Sequence, residues 1–267
     1  MEYQKFIPEG WEETKESLNT SFIQNAFETG QVLQGYVNEC DSNYNLHLNL
    51  GNNIKGIIPR NELEGINVDD FGFCNPNICK NKVNQFVQFK IKEIYDDENV
   101  ILSRKNVQED ALTWVKEELK PGSVVNGIVK NMRKFGAFVE IGGGVVGLLH
   151  IEDISVSRIK SPEERFSIGQ KINVMIKSID KDNNKIVLSY KELLGDWDEN
   201  VKEYSEKTVV EGIVKESDKF KNGIFIELKP NLVGLAEYKD GVEYGQKVNV
   251  YIKKIIKERK KIKLLII

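Results

Sequence analysis

The sequence is poor in the two side chains on which many metal sites and catalytic sites depend. It has 2 histidines and 3 cysteines among 267 residues. The strand pattern described below places His47 and His150 on sheet faces in different parts of the chain, and it groups neither with a nucleophile and an acid. We therefore expect no catalytic residues, no enzymatic activity and no cofactor.

The cysteines do not form the pattern of a secreted disulfide scaffold. Cys40, Cys74 and Cys79 are odd in number and lie in the first third of the chain. The segment CNPNIC places four residues between Cys74 and Cys79, and no second ligand pair lies nearby. We predict reduced thiols and no metal site.

Long apolar runs are also missing. No segment approaches the ~20 residues that a membrane-spanning helix requires, and the first residues, MEYQKFIPEGWEET, have neither a basic nor an apolar targeting region. GGG at 142–144 precedes no helix and no Gly-Lys-Ser/Thr, so it predicts a hairpin turn and not a phosphate loop. We expect a cytoplasmic protein without a membrane partner.

Charge is distributed unevenly along the chain. The formal net charge is −3, from 38 Lys+Arg and 41 Asp+Glu. Residues 119–192 carry 12 basic and 8 acidic side chains and residues 206–267 carry 14 and 9, whereas residues 28–106 carry 8 and 11. Two basic segments between acidic connectors are typical of modules that meet a polyanion.

One module occurs three times in the chain. LQGYVNEC, VNGIVKNM and VEGIVKES align on Gly35, Gly127 and Gly212. The next segments, HLNLGNNIKGII, FVEIGGGVVGLL and FIELKPNLVGLA, align without a gap and place His47, Phe138 and Phe225 at one position. Each copy reads as five short alternating strands, a length and pattern that suit a small closed barrel.

Helical spacing of apolar residues predicts helices before and between the barrels, with Trp11, Trp114 and Trp197 one to each helix and packed on a barrel. The expected divisions are a helical extension (1–27), the first barrel (28–106), a helical linker (107–118), the second barrel (119–192), a second helical linker (193–205) and the third barrel (206–267).

The stretch AFVEI in the second module has an unusual feature. Alternation puts Ala137, Val139 and Ile141 on one face and Phe138 with Glu140 on the other. Placing Phe138 in the core would force the three aliphatic residues into water. We therefore expect Phe138 and Glu140 to face solvent.

The second module carries GxVxxGxVxxMxxFGAFVEIGGGxxGLLHIEDI, followed by IGQKINVMIKSID and LSYK. This pattern resembles the S1 domain, the RNA-binding OB-fold repeat of the bacterial small-subunit ribosomal protein of that name. The resemblance covers about four fifths of the chain and is weaker in the first and third copies. The arrangement is similar to short, three-domain S1 homologues of low-GC bacteria, which implies three tandem OB-fold barrels in the all-β class.

The resemblance implies an RNA face in the second module, formed by Phe135, Phe138, His150, Asp180 and Lys185. OB barrels stack bases on exposed aromatic rings while cations track the phosphates, and Arg133, Lys134, Arg158 and Lys160 are the nearby cations. Alternatives remain: His150 as a structural histidine, and Asp180 as a residue that holds a turn or orients Lys185.

The other copies keep only part of this set. In the third, we expect a secondary and mostly electrostatic RNA contact through Phe220, Phe225, Lys254, Lys257 and Arg259. In the first, Tyr44 and His47 occupy the positions of Phe135 and Phe138, and the module is acidic. Because N-terminal S1 copies tend to dock on protein, we expect Tyr44 and His47 to mark a docking face.

The expected function is that of a monomeric RNA-binding protein of translation. It would hold single-stranded RNA or mRNA mainly through the second barrel and meet the ribosome through the first. The alternative is an adaptor that docks protein partners or tethers RNA to a ribonuclease or a transcription complex.

Overall fold

The computed structural model describes residues 4–12, 18–66, 68–96, 98–218 and 223–267. Within them the chain forms three closed barrels of five strands each, so the predicted all-β class with three tandem OB-fold barrels is confirmed. In each barrel the third and fifth strands pair in parallel and close the sheet. No helix among the described residues is long and apolar enough to cross a bilayer.

The first barrel follows helix α1 (Thr20–Thr29). This helix begins where the Asn19 side chain accepts a hydrogen bond from the backbone N–H of Phe22 (2.8 Å), and it ends at Gly30 in a left-handed conformation. Helix α2 (Pro76–Asn81) lies between the third and fourth strands. The strands are β1 (Leu33–Cys40), β2 (Leu46–Gly51), β3 (Ile54–Ile58), β4 (Phe86–Ile94) and β5 (Asn99–Ser103).

The second barrel follows helix α3 (Lys105–Glu117), which buries Trp114 and Val115 against it. Its core is built from the inward residues of all five strands, such as Val129, Leu149 and Leu188. The strands are β6 (Val124–Arg133), β7 (Gly136–Gly142), β8 (Val145–His150), β9 (Lys171–Asp180) and β10 (Lys185–Ser189).

The third barrel follows the short helix α4 (Trp197–Asn200), whose Trp197 packs against the barrel core. The strands are β11 (Val209–Asp218), β12 (Gly223–Lys229), β13 (Leu232–Glu237), β14 (Lys247–Ile256) and β15 (Lys261–Ile266). Single 3₁₀ turns occur at Arg60–Glu62, Ile151–Asp153, Pro162–Glu164, Lys191–Leu194, Val201–Glu203 and Lys257–Arg259.

The expected placement of the tryptophans is correct for Trp114 and Trp197 and wrong for Trp11. Trp11 lies in residues 4–12, which form no helix. Its backbone oxygen accepts a hydrogen bond from the Lys171 ammonium (2.7 Å), and that ammonium lies 5.7 Å from the centre of the Trp11 ring. Long-range contacts with the second barrel fix this segment, and local helical spacing carries no information about such contacts.

Residues 4–12, here called the N-terminal strap, run between the first and second barrels. The Gln4 amide donates to the backbone oxygen of Ile141 (2.8 Å) and accepts from the N–H of Asn126 (2.7 Å). Phe6 joins the core of the second barrel, where its ring lies 5.8 Å from that of Trp114. The strap thus closes one end of the second barrel.

Glu9 links the strap to both barrels, and its side chain is completely buried. Its carboxylate accepts hydrogen bonds from Arg104 (2.6 and 3.0 Å), from Lys82 (3.0 Å) and from the backbone N–H of Gln88 (3.0 Å). Its own N–H donates to Glu140 (2.8 Å). Burial acts to raise the pKa of Glu9, but the charges of Arg104 and Lys82 outweigh it and hold the pKa well below its usual range.

The expectation that Glu140 faces water is wrong, since its exposed fraction is 1%. Glu140 does point out of the barrel, but the strap covers that end of β7. Its carboxylate accepts from Glu9, from Lys130 (2.9 Å) and from the N–H of Gly144 (3.0 Å). Burial and the neighbouring Glu9 charge raise the pKa of Glu140.

The predicted GGG turn is present. Close packing against neighbouring segments is a second reason why these positions are glycines. A Cβ at Gly142 would lie 2.2 Å from the backbone oxygen of Phe6, and one at Gly144 would lie 2.1 Å from the Arg104 guanidinium. Both residues also have positive φ, 139° and 78°. The turn is therefore shaped to receive the strap and the first barrel.

The third barrel uses the equivalent position to meet the second. Glu227, two residues after Phe225 as Glu140 is two after Phe138, is 5% exposed and ion-paired with Arg165 of the β8–β9 connection. Lys215 lies 3.6 Å from Glu227 and 2.8 Å from Glu164. A buried glutamate on the second strand, paired with a lysine on the first, thus marks both junctions between barrels.

Substitution of Glu9 tests the first junction. Glu9→Ala leaves Arg104 and Lys82 without their shared carboxylate, and removing one partner of a buried ion pair typically costs roughly 3–5 kcal/mol. We expect the free energy of unfolding in urea to fall by this order, with faster hydrogen exchange at Asn126 and Gly143.

Lys5→Ala is the matched control in the same strap, because Lys5 pairs with Glu118 at the surface. It should leave the unfolding midpoint unchanged. Equal effects of the two substitutions would contradict the assigned role of Glu9.

Candidate nucleic-acid interface

Phe138 points outward from the second barrel, as predicted. Ala137, Val139 and Ile141 are completely buried in the barrel core. Phe138 lies on the opposite face of β7 and is half-buried there. A large aromatic ring is therefore displayed on the outer surface of the sheet.

Phe135 forms a pair with this ring. The two ring centroids are 6.1 Å apart and the planes meet at 84°, an edge-to-face arrangement. Phe135 precedes β7 directly and is 49% exposed. Its backbone oxygen accepts from the N–H of Ile151 (2.9 Å), which ties the loop to the end of β8. In this arrangement one ring face of the pair is exposed, and the other ring supports it from the side.

Strand register extends this aromatic site into a row that crosses the whole sheet. Phe138 pairs with Asn131 on β6 and with Leu148 on β8, and Leu148 pairs in turn with Val187 on β10. Val187 pairs with Ser178 on β9. These side chains share the outer face because paired positions point to the same side of a sheet. We call them the cross-sheet row: Asn131, Phe138, Leu148, Val187 and Ser178.

His150 lies at one end of this surface, at the end of β8 and opposite Gly136. Its Nδ1 accepts from the backbone N–H of Glu152 (3.4 Å) and so caps the 3₁₀ turn that follows. This contact favours the tautomer that carries its proton on Nε2, which would then be the donor for a ligand. Arg133 on β6 pairs with the same Gly136 on β7, and Lys134 lies beside Phe135 in the turn.

Asp180 and Lys185 lie beyond the other side of the row. They pair directly across the β9–β10 hairpin. Because β8 and β10 run parallel, Lys185 and His150 lie about four residues apart along the strands, roughly 13 Å at ~3.3 Å per residue. The residues of the RNA face implied by the resemblance are therefore spread along the strands of the outer sheet.

The contacts of Asp180 favour the turn-holding alternative. Its carboxylate accepts from the side chain of Asn183 (2.8 Å) and from the backbone N–H groups of Asn183 and Asp182. The Asn183 side chain contributes most to lowering the pKa of Asp180, and Lys185 contributes least. Asp180 thus shapes the turn that presents Lys185.

Arg158 and Lys160 lie at the junction with the third barrel. The Arg158 guanidinium is 3.0 Å from Glu216 on β11, although the side chain remains 81% exposed. The Lys160 ammonium lies 3.8 Å from the centre of the Tyr244 ring. The structure brings these two cations to the third barrel and does not group them with Phe138.

The third barrel repeats the row with lysines at one end. Glu216 pairs with Phe225, Phe225 with Leu235, Leu235 with Lys263, and Lys263 with Lys254. Phe225 is 38% exposed and Leu235 is 45% exposed. Lys257 and Arg259 lie in the 3₁₀ turn between β14 and β15, and Phe220 lies outside the described residues.

The first barrel has the same row with acids at both ends. Glu39 pairs with His47, His47 with Ile57, Ile57 with Ile101, and Ile101 with Glu93. Each end of this row therefore carries negative charge, which disfavours a phosphate chain.

The two expected docking residues of the first barrel are held in place by local contacts. His47 is hydrogen-bonded to Asp41 (3.1 Å), and the Arg60 guanidinium lies 5.4 Å from the Tyr44 ring centre. Burial acts to raise the pKa of Asp41, but hydrogen bonds from His47, Asn45 and Asn43 lower it to about 2.

Sequence reasoning missed most members of these rows, among them Leu148, Val187 and Lys263. The outward phase of VVGLLH and KIVLS contains a signal for the first two, because it alternates with buried Leu149, Ile186 and Leu188. Their alignment with Phe138, however, depends on a register between strands that are distant in the chain.

Comparison with known proteins agrees with this geometry. A family model described as the S1 RNA binding domain matches residues 118–191. The small ribosomal subunit protein bS1 of Staphylococcus aureus (strain COL) is 32% identical over 271 residues, which cover 95% of this chain and 65% of that protein. The bS1 protein of Staphylococcus saprophyticus is 33% identical with the same coverage.

Among solved structures, the solution structure of GSP13 from Bacillus subtilis is similar with 28% sequence identity and a TM-score of 0.28, over 39% of this chain and 68% of that one. The chain spans 65% of the length of the curated bS1 relatives named above. Residues 118–191, which contain the strands of the second barrel, match the S1 RNA binding domain model, and along 95% of its length the chain is similar to the bS1 proteins.

Proposed function

We propose that this protein binds single-stranded RNA, specifically mRNA, and acts in translation. The observation that carries the proposal is the outward Phe135–Phe138 pair at the centre of a five-strand outer face in the second barrel. The match to the S1 RNA binding domain and the similarity to bS1 proteins support it. We assign the protein no catalytic step.

In the second barrel, one base would stack on Phe138, and neighbouring bases would contact the apolar surface of Leu148 and Val187. His150 would donate from Nε2 at one end of the face, and Lys185 would contact phosphate at the other. Stacking discriminates weakly among bases, since every base has a π-face, so the proposed binding has little sequence specificity.

In the third barrel, Phe225 would offer a second and smaller stacking surface. Lys254 and Lys263 lie on one side of Phe225 in the same row, so a phosphate on that side of a stacked base would meet cations, whereas Glu216 lies on the other side. Lys257 and Arg259 extend this charge at the hairpin tip. We propose a contribution that is mainly electrostatic and weakens with salt.

In the first barrel, we propose protein docking on the face that contains Tyr44 and His47. Acidic residues at both ends of its row favour a basic protein over a phosphate chain. The ribosome is the proposed partner, since the relatives are small ribosomal subunit proteins.

The proposal includes the division of the chain at 28–106, 119–192 and 206–267, a monomeric state and a cytoplasmic location. The two junctions with buried Glu140 and Glu227 support a monomer in which the barrels keep fixed relative positions. Fixed positions favour simultaneous engagement of one strand by two barrels, which raises affinity without new contacts.

Removal of the Phe138 ring tests the proposal. Because one base stacked on an aromatic ring contributes ~1–3 kcal/mol, Phe138→Ala should raise the dissociation constant for a single-stranded RNA by roughly 5-fold to 150-fold. Fluorescence anisotropy with a labelled oligonucleotide measures this change.

Phe27→Ala is the control, because Phe27 is 41% exposed on helix α1 and lies outside the rows. Its dissociation constant should equal that of the unaltered protein. Absence of RNA binding in the unaltered protein, or equal binding by Phe138→Ala, would refute the stacking model.

The lysines of the third barrel make a separate prediction about salt. Release of counterions gives a slope of about −0.7 per phosphate contact for single strands, so loss of Lys254 and Lys263 should reduce the slope of log K against log salt by about 1.4. Titrations of the double alanine variant at several salt concentrations measure it.

A second double variant, Lys253→Ala with Lys260→Ala, serves as the control. These lysines are already paired with Glu237 (3.3 Å) and Asp198 (3.2 Å), so the slope should change less. A slope that is unaffected by loss of Lys254 and Lys263 would exclude the third barrel from the RNA path.

A further inference from the structure

The connection between β3 and β4 carries a small hairpin with an exposed phenylalanine at its tip. Residues 68–74 form this hairpin, here called the Phe71 hairpin, which an isolated bridge between Val68 and Cys74 closes. Phe71 is 83% exposed, the highest value among the large exposed hydrophobic side chains of the described residues. Because Val68 and Phe73 of the same hairpin are exposed as well, Phe71 belongs to a group of exposed apolar side chains, the kind of feature that marks an interaction surface.

The hairpin holds Phe71 in an ordered position. One oxygen of Asp69 accepts from the backbone N–H groups of Phe71 (3.0 Å) and Phe73 (2.8 Å), and the Gly72 N–H donates to the Asp69 backbone oxygen (2.9 Å). At the base, Arg60 donates to the backbone oxygen of buried Cys74 (2.9 Å). A preorganised anchor loses little conformational entropy when it binds.

The surroundings of Phe71 are apolar and acidic. Val68 and Phe73 are 37% and 39% exposed on the same hairpin, and Asp69 and Asp70 are both exposed beside the ring. An anchor of this composition fits an apolar pocket bordered by basic side chains. A phosphate chain is disfavoured, because it would meet two carboxylates.

The same connection in the second module already serves as a docking element. There the segment 151–170 holds the third barrel through the Ser157 N–H to the Pro230 oxygen (2.9 Å) and through Arg165 to Glu227. In the third module the connection is only 238–246. The first module has the longest connection, 59–85, and it carries the exposed aromatic anchor.

We propose that the Phe71 hairpin anchors the first barrel to a protein of the small ribosomal subunit, by insertion of Phe71 into an apolar pocket with a basic border. This inference rests on the proposed ribosomal association and adds the surface through which it occurs. The hairpin adjoins the face of Tyr44 and His47, because the Arg60 guanidinium lies 5.4 Å from the Tyr44 ring centre and 5.3 Å from that of Phe73.

Titration of the 267-residue chain with salt-washed bacterial small ribosomal subunits, followed by sedimentation, tests the proposal. Phe71→Ser should lower affinity for the subunit at least tenfold. Tyr95→Ser is the matched control, because Tyr95 is 77% exposed in the same barrel on the β4–β5 turn. Asp70→Lys should weaken binding, and Tyr95→Ser should leave it unchanged.

The outcomes separate the inference from the proposed function. Subunit binding by Phe71→Ser equal to that of the unaltered chain overturns the anchor and leaves ribosomal association intact. If the unaltered chain does not bind the subunit, both the anchor and the ribosomal association are overturned. The RNA titration tests RNA binding independently of that result. A matching loss of RNA affinity in Phe71→Ser identifies an RNA contact, and a loss of self-association identifies a second copy as occupant. Either result overturns the proposed partner.

Discussion

The interior of a five-stranded barrel is small, and the residues that fill it decide what its strands display outside. In the second barrel Ala137, Val139 and Ile141 fill the interior from β7, so the period of two in the strand forces Phe138 to the surface. A slip of one residue would bury Phe138 and Glu140 and expose three aliphatic residues. The outward display of the Phe138 ring is therefore a consequence of core packing.

The same constraint acts in all three barrels, but the residues that flank the central ring differ. The second barrel surrounds Phe138 with apolar and neutral side chains, the third adds Lys254 and Lys263 beside Phe225, and the first places Glu39 and Glu93 around His47. In the proposed function, one fold serves stacking, phosphate contact and protein docking through changes at the ends of one row. The inner residues vary little in character because each barrel must still be filled.

Most of the fold could be predicted from the sequence, because alternation, turn residues and internal repetition are local signals. The outward position of Phe138 also follows from that pattern, and so does the pairing of its strand with the strand that ends at His150. Glu140 could not be placed correctly, because its partner Glu9 lies 131 positions earlier in the chain. The same reason explains Trp11, whose strap has no helical structure and is fixed to the barrels by contacts with residues distant in the chain. The roles of Arg158 and Lys160 at the junction of two barrels likewise depend on how whole modules pack together.

The central claim is that single-stranded RNA lies across the outer face of the second barrel. Ultraviolet crosslinking of a uridine-rich single strand to the full chain, with attachment sites read by mass spectrometry, tests this claim most directly. The account predicts adducts at Phe135, Phe138 and His150, with fewer adducts at Phe225. Adducts confined to the first barrel, or absent from the peptides of β7 and β8, would contradict it.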